Sequence, residues 1–223
     1  MTLIKPGDSQ WKDLLSQGAK ALGQAPDENA LEKCAAFARL LAQANNRVNL
    51  SSIRDPRDMA VKHFADSLAL IPYIPEGAKV ADIGSGAGFP GLVLAIFRPD
   101  LQLTSIETIR KKANFQRHAA LELGLSNVKI YNIRAENWKT EGDKGLLFDA
   151  VVCRALSDLS AILSWARPML APKGQIIAMK GPKGAQELEE LDQSCLNDPP
   201  LKARVAEYSL PIEKAKRSLV IFS

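Results

Sequence analysis

A doubly wound α/β fold, its mostly parallel sheet covered by helices on both faces, is what this sequence predicts. Three observations lead there. From Lys79 onward, short β-rich runs alternate with helical stretches. A glycine-rich turn joins the first run to the first of those helices. Two further β-rich runs, 204–210 and 217–223, close the chain as a hairpin pair. Such alternation favours parallel strands joined by right-handed crossovers, with a ligand crevice at the carboxyl ends of the strands.

Each element has its own warrant. Leu31, Cys34, Ala35, Ala38, Leu41 and Ala42 fall at helical spacing behind Pro26 and Asp27, a helix start. Residues 45–52 (NNRVNLSS) read as a loop, because Asn and Ser compete with helical backbone bonds. Pro56 and Arg57 open a second helix to about Leu70, broken at 73–77 (YIPEG). Strands follow at 79–83, 102–107, 127–132, 148–153 and 175–180, which with the hairpin makes seven. Helices are expected from near Pro90, from Arg110 to Leu123 with Gly124 as cap, and from Leu159 to Leu170. Residues 1–74 thus form an N-terminal helical extension, and 75–223 the main domain.

Composition narrows the function classes. With 223 residues, 46% hydrophobic and 24% charged, the chain can build one sizeable core and is not wholly disordered. A net charge of +4 permits an RNA or phosphate partner without requiring one. Cys34, Cys153 and Cys195 lie far apart with no CxxC or zinc spacing, so reduced thiols and no metal site are expected. The N-terminus lacks an apolar signal region and no run is long enough to cross a bilayer, so a cytoplasmic protein is expected, with no membrane partner.

The segment 80–91 (VADIGSGAGFPG) sits between a strand and a helix, the context of a nucleotide-type loop. Gly84, Gly86 and Gly88 let a ligand approach the main chain. Phe89 stands where a dinucleotide fingerprint needs glycine, which weakens that reading. Asp82 at the strand end would sit badly beside a pyrophosphate; it suits an ammonium group, as in S-adenosylmethionine. Glu107 at the end of the second strand can accept both ribose hydroxyls. Taken alone, either acid is a solvated loop residue; with the glycine loop they point to an S-adenosylmethionine site. Glu136, after the third strand, can face the adenine or simply start a helix.

The acceptor chemistry is also constrained. An amino-methylating [DN]PP[YFW] motif is missing after the fourth strand, where Cys153, Arg154, Ala155 and Leu156 stand. The similar Asp198-Pro199-Pro200-Leu201 lies beyond the fifth strand without an aromatic and reads as a linker. Pyrimidine C5 methylation needs a cysteine nucleophile; Cys153 ends an apolar run and reads instead as a packed hydrophobe. A nitrogen lone pair such as guanine N7 needs neither nucleophile nor base, only alignment and electrostatics.

Four segments, 45–68 (NNRVNLSSIRDPRDMAVKHFADSL), 80–96 (VADIGSGAGFPGLVLAI), 151–159 (VVCRALSDL) and 176–182 (IIAMKGP), resemble the bacterial 16S rRNA guanine-N7 methyltransferase family, RsmG or GidB. The resemblance is collinear over about 31–181. It implies a class I S-adenosylmethionine-dependent methyltransferase with a Rossmann-like, seven-stranded sheet and an N-terminal helical extension. It implies methylation of guanine 527 in the 530 loop of 16S rRNA, with free rRNA or the small ribosomal subunit as partner; nothing in the sequence demands a dimer, so a monomer is expected. It implies cofactor contacts at Gly84, Phe89, Ala135, Glu136 and Arg154, joining Asp82, Gly86, Gly88 and Glu107. Residues 1–25 and 183–203 match little and carry no assigned function.

Arg154, His63 and Lys180 are the candidates for shaping the acceptor pocket, with His63 equally able to be a structural hydrogen-bonder. Phe89 is a candidate wall for cofactor or base. Arg154→Ala is expected to lower methyl transfer with the fold intact. Arg47, Arg54, Arg57 and Lys62 form one basic cluster, Arg110, Lys111, Lys112, Arg117 and His118 a second, and Lys180 with Lys183 a third. Together they can hold RNA phosphates around one crevice, though each alone reads as a solvated charge. The competing readings are methylation of another RNA base or a small molecule, and a non-catalytic RNA-binding protein on the same fold.

Overall fold

Seven strands, β1 (Lys79–Ile83), β2 (Gln102–Ile106), β3 (Val128–Tyr131), β4 (Phe148–Arg154), β5 (Leu170–Lys180), β6 (Ala203–Ser209) and β7 (Lys216–Phe222), form one sheet in the computed structural model, which describes residues 4–143, 145–197 and 200–223. Their order is β3-β2-β1-β4-β5-β7-β6. The pairs among β1 to β5 are parallel, whereas β7 runs antiparallel to both β5 and β6. The helices are α1 (Ser9–Ala21), α2 (Glu28–Asn45), α3 (Pro56–Asp58), α4 (Gly91–Phe97), α5 (Arg110–Glu122), α6 (Trp138–Glu141), α7 (Leu159–Ala166) and α8 (Gly184–Glu189). Among the described residues no helix is long and apolar enough to cross a membrane.

The period-2 alternation of the strands divides the core in two. Val80, Ala150 and Val152 join an apolar cluster with α1, α2, α4 and α5. Ala81, Ile83, Val151 and Cys153 join the opposite cluster with Trp138 and α7. Strand order reverses between β1 and β4, so the crevice that such a switch point opens lies between the ends of these two strands.

The extension forms part of the first core. Asp8 and Asp27 cap α1 and α2, each accepting a first-turn N–H. Residues 1–25 suggested nothing from sequence, yet α1 is anchored there by Trp11. Its indole is fully buried, meets Phe64 edge-on at 4.9 Å, and donates to the Pro56 carbonyl at 3.0 Å. We expect Trp11→Ala to cost about 3–5 kcal/mol. That loss lowers the melting temperature by at least about 6 °C, readable in a thermal melt.

Several expectations need correction. The helix expected over 56–70 is a turn of α3, a π-helix at Met59–Ala65 and a 3-10 helix at Leu68–Tyr73. The wider winding leaves carbonyls that other partners take, as described below. The helix expected to reach Leu170 leaves α-geometry at Ala166, before a 3-10 turn containing Pro168, which lacks an N–H. β5 therefore starts earlier than expected, with Leu170 pairing Phe148 across a register shift. Asp198 and Pro199 of the presumed linker lie outside the described residues.

Candidate active site

β1 reverses into α4 through the glycine loop. Gly84 and Gly86 have φ of +66° and +59°, in the left-handed region that favours glycine. The Gly84 N–H donates to the Ile106 carbonyl at 2.8 Å, tying the turn to β2. A Cβ on Gly86 would meet nothing nearer than 3.9 Å, so this peptide faces open space. At Gly84 and Gly88 a Cβ would lie 2.6 Å from the Leu156 and Leu92 side chains, so core packing also calls for glycine there.

Both acids are buried at this loop. Asp82 Oδ2 accepts the Gly91 N–H at 2.8 Å, while Asp82 Oδ1 has no partner among the described residues. Burial pushes its carboxyl up to about 7, against the Gly91 N–H and the charge of Arg154, which pull it down. Glu107 Oε2 accepts the Gly86 N–H and Oε1 the Ile109 N–H, both at 2.7 Å. Oε1 also accepts the Thr108 hydroxyl at 3.5 Å, a long bond that a ligand hydroxyl can displace, and Oε2 has a further lone pair. Ala135 and Glu136 stand on a 3-10 turn after β3; Ala135 is buried in the cluster holding Ile83 and Ile106, and Glu136 is exposed.

Phe89 needs a correction. Phe37 stacks against it at 5.0 Å and His63 at 4.5 Å, with interplanar angles of 19° and 13°. Phe64 meets it edge-on at 5.1 Å and the Arg154 guanidinium lies 5.3 Å over it, so Phe89 is only 4% exposed and its ring is a buried link rather than an open wall. It links the glycine loop to the helical extension instead.

Arg154, at the end of β4, closes the other side of the crevice. Its Nη1 donates to the Lys62 carbonyl at 3.0 Å and the His63 carbonyl at 3.4 Å, within the π-helix. Asp66 Oδ2 lies 3.5 Å away, and Tyr208 donates to Asp66 Oδ1 at 2.8 Å. Its Nη2 is 3.0 Å from His63 Nδ1. Arg has only donors, so Nδ1 is the acceptor and Nε2 carries the ring proton. That proton goes to Ser51 Oγ at 2.7 Å. Asn45 pins Ser51 in place, accepting the N–H groups of Leu50 and Ser51 and donating to the Ser51 carbonyl.

Burial, aided by the charge of Arg154, brings the His63 imidazole down to about 3. At neutral pH the ring is therefore uncharged, a hydrogen-bonder between Arg154 and Ser51. In the unfolded chain a histidine titrates near 6.5, so between about 6.5 and 3 the unfolded state holds more protons. The His63 contribution to stability is therefore lost as pH falls through that window. Melting temperatures at about pH 7.5 and about pH 5 are expected to drop less for His63→Gln than for the wild type.

A cavity of about 500 Å³, within the usual range of ligand pockets, opens beside this network. His63, Asp66, Arg154, Lys180, Tyr208 and Arg217 help line it. Lys180 donates to the Ser157 carbonyl at 2.8 Å and pairs with Glu187 at 2.7 Å. Lys62 is held by Asp58 and Glu213, so it is less available to phosphates than expected. Arg47 and His118 line a second cavity of about 410 Å³ between α2 and α5, while Arg110 and Lys111 are exposed. Tyr208 and Arg217 gave no sequence signal, whereas Asp66 falls inside the 45–68 segment.

A family model described as GidB, rRNA small subunit methyltransferase G, matches residues 30–218. A ribosomal RNA small subunit methyltransferase G of Geobacter metallireducens is 38% identical over 215 residues, 96% of each chain. That of Methylobacillus flagellatus is 41% identical over 174 residues, 78% of this chain and 82% of the relative. Among solved structures, a SAM-dependent methyltransferase of Aquifex aeolicus superposes with a TM-score of 0.54 at 16% identity, covering 74% of this chain and 92% of its own. Aeropyrum pernix fibrillarin, solved with natively bound S-adenosyl-L-methionine, gives 0.52 at 13% identity, covering 66% of this chain and 67% of its own. At these identities the likeness concerns the fold, which is that of class I S-adenosylmethionine-dependent methyltransferases.

Proposed function

The chain belongs to the rRNA small subunit methyltransferase G family, and from that membership we propose that it methylates N7 of guanine 527 in 16S rRNA, using S-adenosylmethionine. One observation supports the reading most. The glycine loop with its two acids and the Arg154 cavity flank the same switch point, between the ends of β1 and β4. We place this activity in the cytoplasm, carried out by a monomer on free rRNA or the small subunit.

The residues fit the cofactor. The unpartnered, buried Asp82 Oδ1 suits an ammonium group, and the open face of Gly86 admits a ligand to the main chain. Glu107 would take the ribose hydroxyls, with the turn at Ala135 and Glu136 beside the adenine. When bound, S-adenosylmethionine supplies an electrophilic methyl group. Guanine N7 offers a lone pair and loses no proton, so the chain needs no general base there. The neutral His63 accords with that requirement.

Protein groups then have to hold the base. Arg154 is committed to the π-helix carbonyls, Asp66 and His63, and so shapes the cavity wall. Lys180 has three ammonium donors, two of them engaged, which leaves one for guanine O6 at the cavity rim. Methylation of pyrimidine C5 is disfavoured, because burial pushes the Cys153 thiol up to about 12 and deprives it of a thiolate.

Labelled S-adenosylmethionine, offered with unmethylated 16S rRNA both free and in small subunits, tests the proposal. Label recovered as N7-methylguanine is expected. Label on another base, or none on either substrate, would overturn it.

A further inference from the structure

We propose that Gln116 is a positioning residue for the cofactor: through a closed ring of buried hydrogen bonds with Ser85 and Ser105, it holds the Gly86 peptide in its ligand-accepting orientation. The inference rests on the glycine loop being the S-adenosylmethionine site.

Gln116 lies on α5 and is fully buried. Its Nε2 donates to Ser85 Oγ at 2.7 Å and to the Gly86 carbonyl at 2.8 Å. Ser105 Oγ, on β2, donates to Gln116 Oε1 at 2.5 Å. The two serine oxygens are 2.5 Å apart. The protons have one arrangement: Ser105 spends its own on Gln116, so Ser85 donates to Ser105. The bonds therefore run in one sense around the ring, each hydroxyl accepting one bond and donating the next, an arrangement in which neighbours polarise one another. The Gly86 carbonyl also fixes the carboxamide, since a flipped amide would set oxygen against oxygen.

The ring matters because of what it grips. Glu107 holds the N–H of Gly86, and Gln116 holds its carbonyl. Both ends of the Gly86 linkage are thus fixed, at a residue with positive φ whose Cβ side is open. A loop held this way loses less freedom when a ligand binds, which raises affinity without a direct contact. Gln116 does not line the Arg154 cavity, so its effect is expected to fall on the cofactor.

The test measures S-adenosylhomocysteine binding by calorimetry, alongside kinetics, for the full chain and two variants. Gln116→Met keeps an unbranched side chain of similar size but removes every bond that Gln116 makes, to Ser85, Ser105 and the Gly86 carbonyl. We expect it to weaken binding about tenfold and to raise KM for S-adenosylmethionine, with kcat and KM for rRNA unchanged. Ser105→Ala keeps the Gln116 bond to the Gly86 carbonyl and is expected to weaken binding about threefold, which serves as the readout should Gln116→Met fail to fold. A merely structural ring would lower the melting temperature and leave affinity within twofold of wild type, and that result overturns the proposal. Failure of the wild type itself to bind would instead remove the cofactor reading on which the proposal rests.

Discussion

Asp82→Asn weakens S-adenosylmethionine binding by about 30-fold or more, while making the ligand-free protein comparatively more stable as pH rises. Both effects come from one buried carboxylate. Its free oxygen awaits a cationic donor, and charge-assisted bonds of that kind are the strong ones. Without ligand the same burial is costly. Burial holds the folded carboxyl up at about 7, above its ordinary 3.8, so the folded state holds more protons in that interval. Stability contributed by this group therefore falls as pH rises from about 4 through 7, the reverse of an ordinary salt-bridged carboxylate. Asn carries no titrating charge. The gap in melting temperature between variant and wild type is expected to move in the variant's favour between about pH 5 and about pH 8. Parallel pH curves, or undiminished binding, would contradict this account of Asp82.

The second large effect is at Arg154. Arg154→Lys keeps the positive charge but replaces a planar fork with a single ammonium. One ammonium cannot serve Lys62, His63, Asp66 and the imidazole in the same geometry. Methyl transfer is expected to fall at least about 100-fold, because a small misplacement of the acceptor base has a large kinetic effect. Cofactor affinity should stay within about threefold, since Arg154 faces the His63 network rather than the open side of Gly86. A matching loss of cofactor affinity would return Arg154 to the cofactor site. Arg154→Ala is a poorer probe than the sequence suggested. It would strand Asp66, a buried acid already pushed upward by burial, and uncap the π-helix carbonyls. Losing one partner of such a pair costs about 3–5 kcal/mol, so the fold itself would suffer.

What was legible in the sequence was what short-range patterning encodes. The β-rich runs at 79–83 and 148–153 marked strands, and Asp27 marked a helix start. The glycine loop could be read because its geometry needs particular residues in consecutive positions. The π-helix could not, because the donor to its Lys62 and His63 carbonyls is Arg154, some ninety residues away. Tyr208 was silent for a similar reason: it reaches Asp66 only once the antiparallel hairpin has formed beside β5. Gln116 sits among polar residues of a helix and betrays nothing until α5 lies against β2. Phe89 was read as a ligand wall because its place in the loop is visible in sequence and its stacking partners are not.

The central claim is that one sheet edge brings a cofactor loop and a guanine pocket together for transfer to a single nucleotide. It is tested most directly by mapping the modified position. Unmethylated 16S rRNA, free and in small subunits, would be incubated with the protein and S-adenosylmethionine, then cleaved chemically at N7-methylguanine and read by primer extension. The account predicts one new stop, at guanine 527, present with wild type and lost with Arg154→Lys. A stop at another guanine, or a wild-type reaction that leaves no N7-methylguanine, would contradict it.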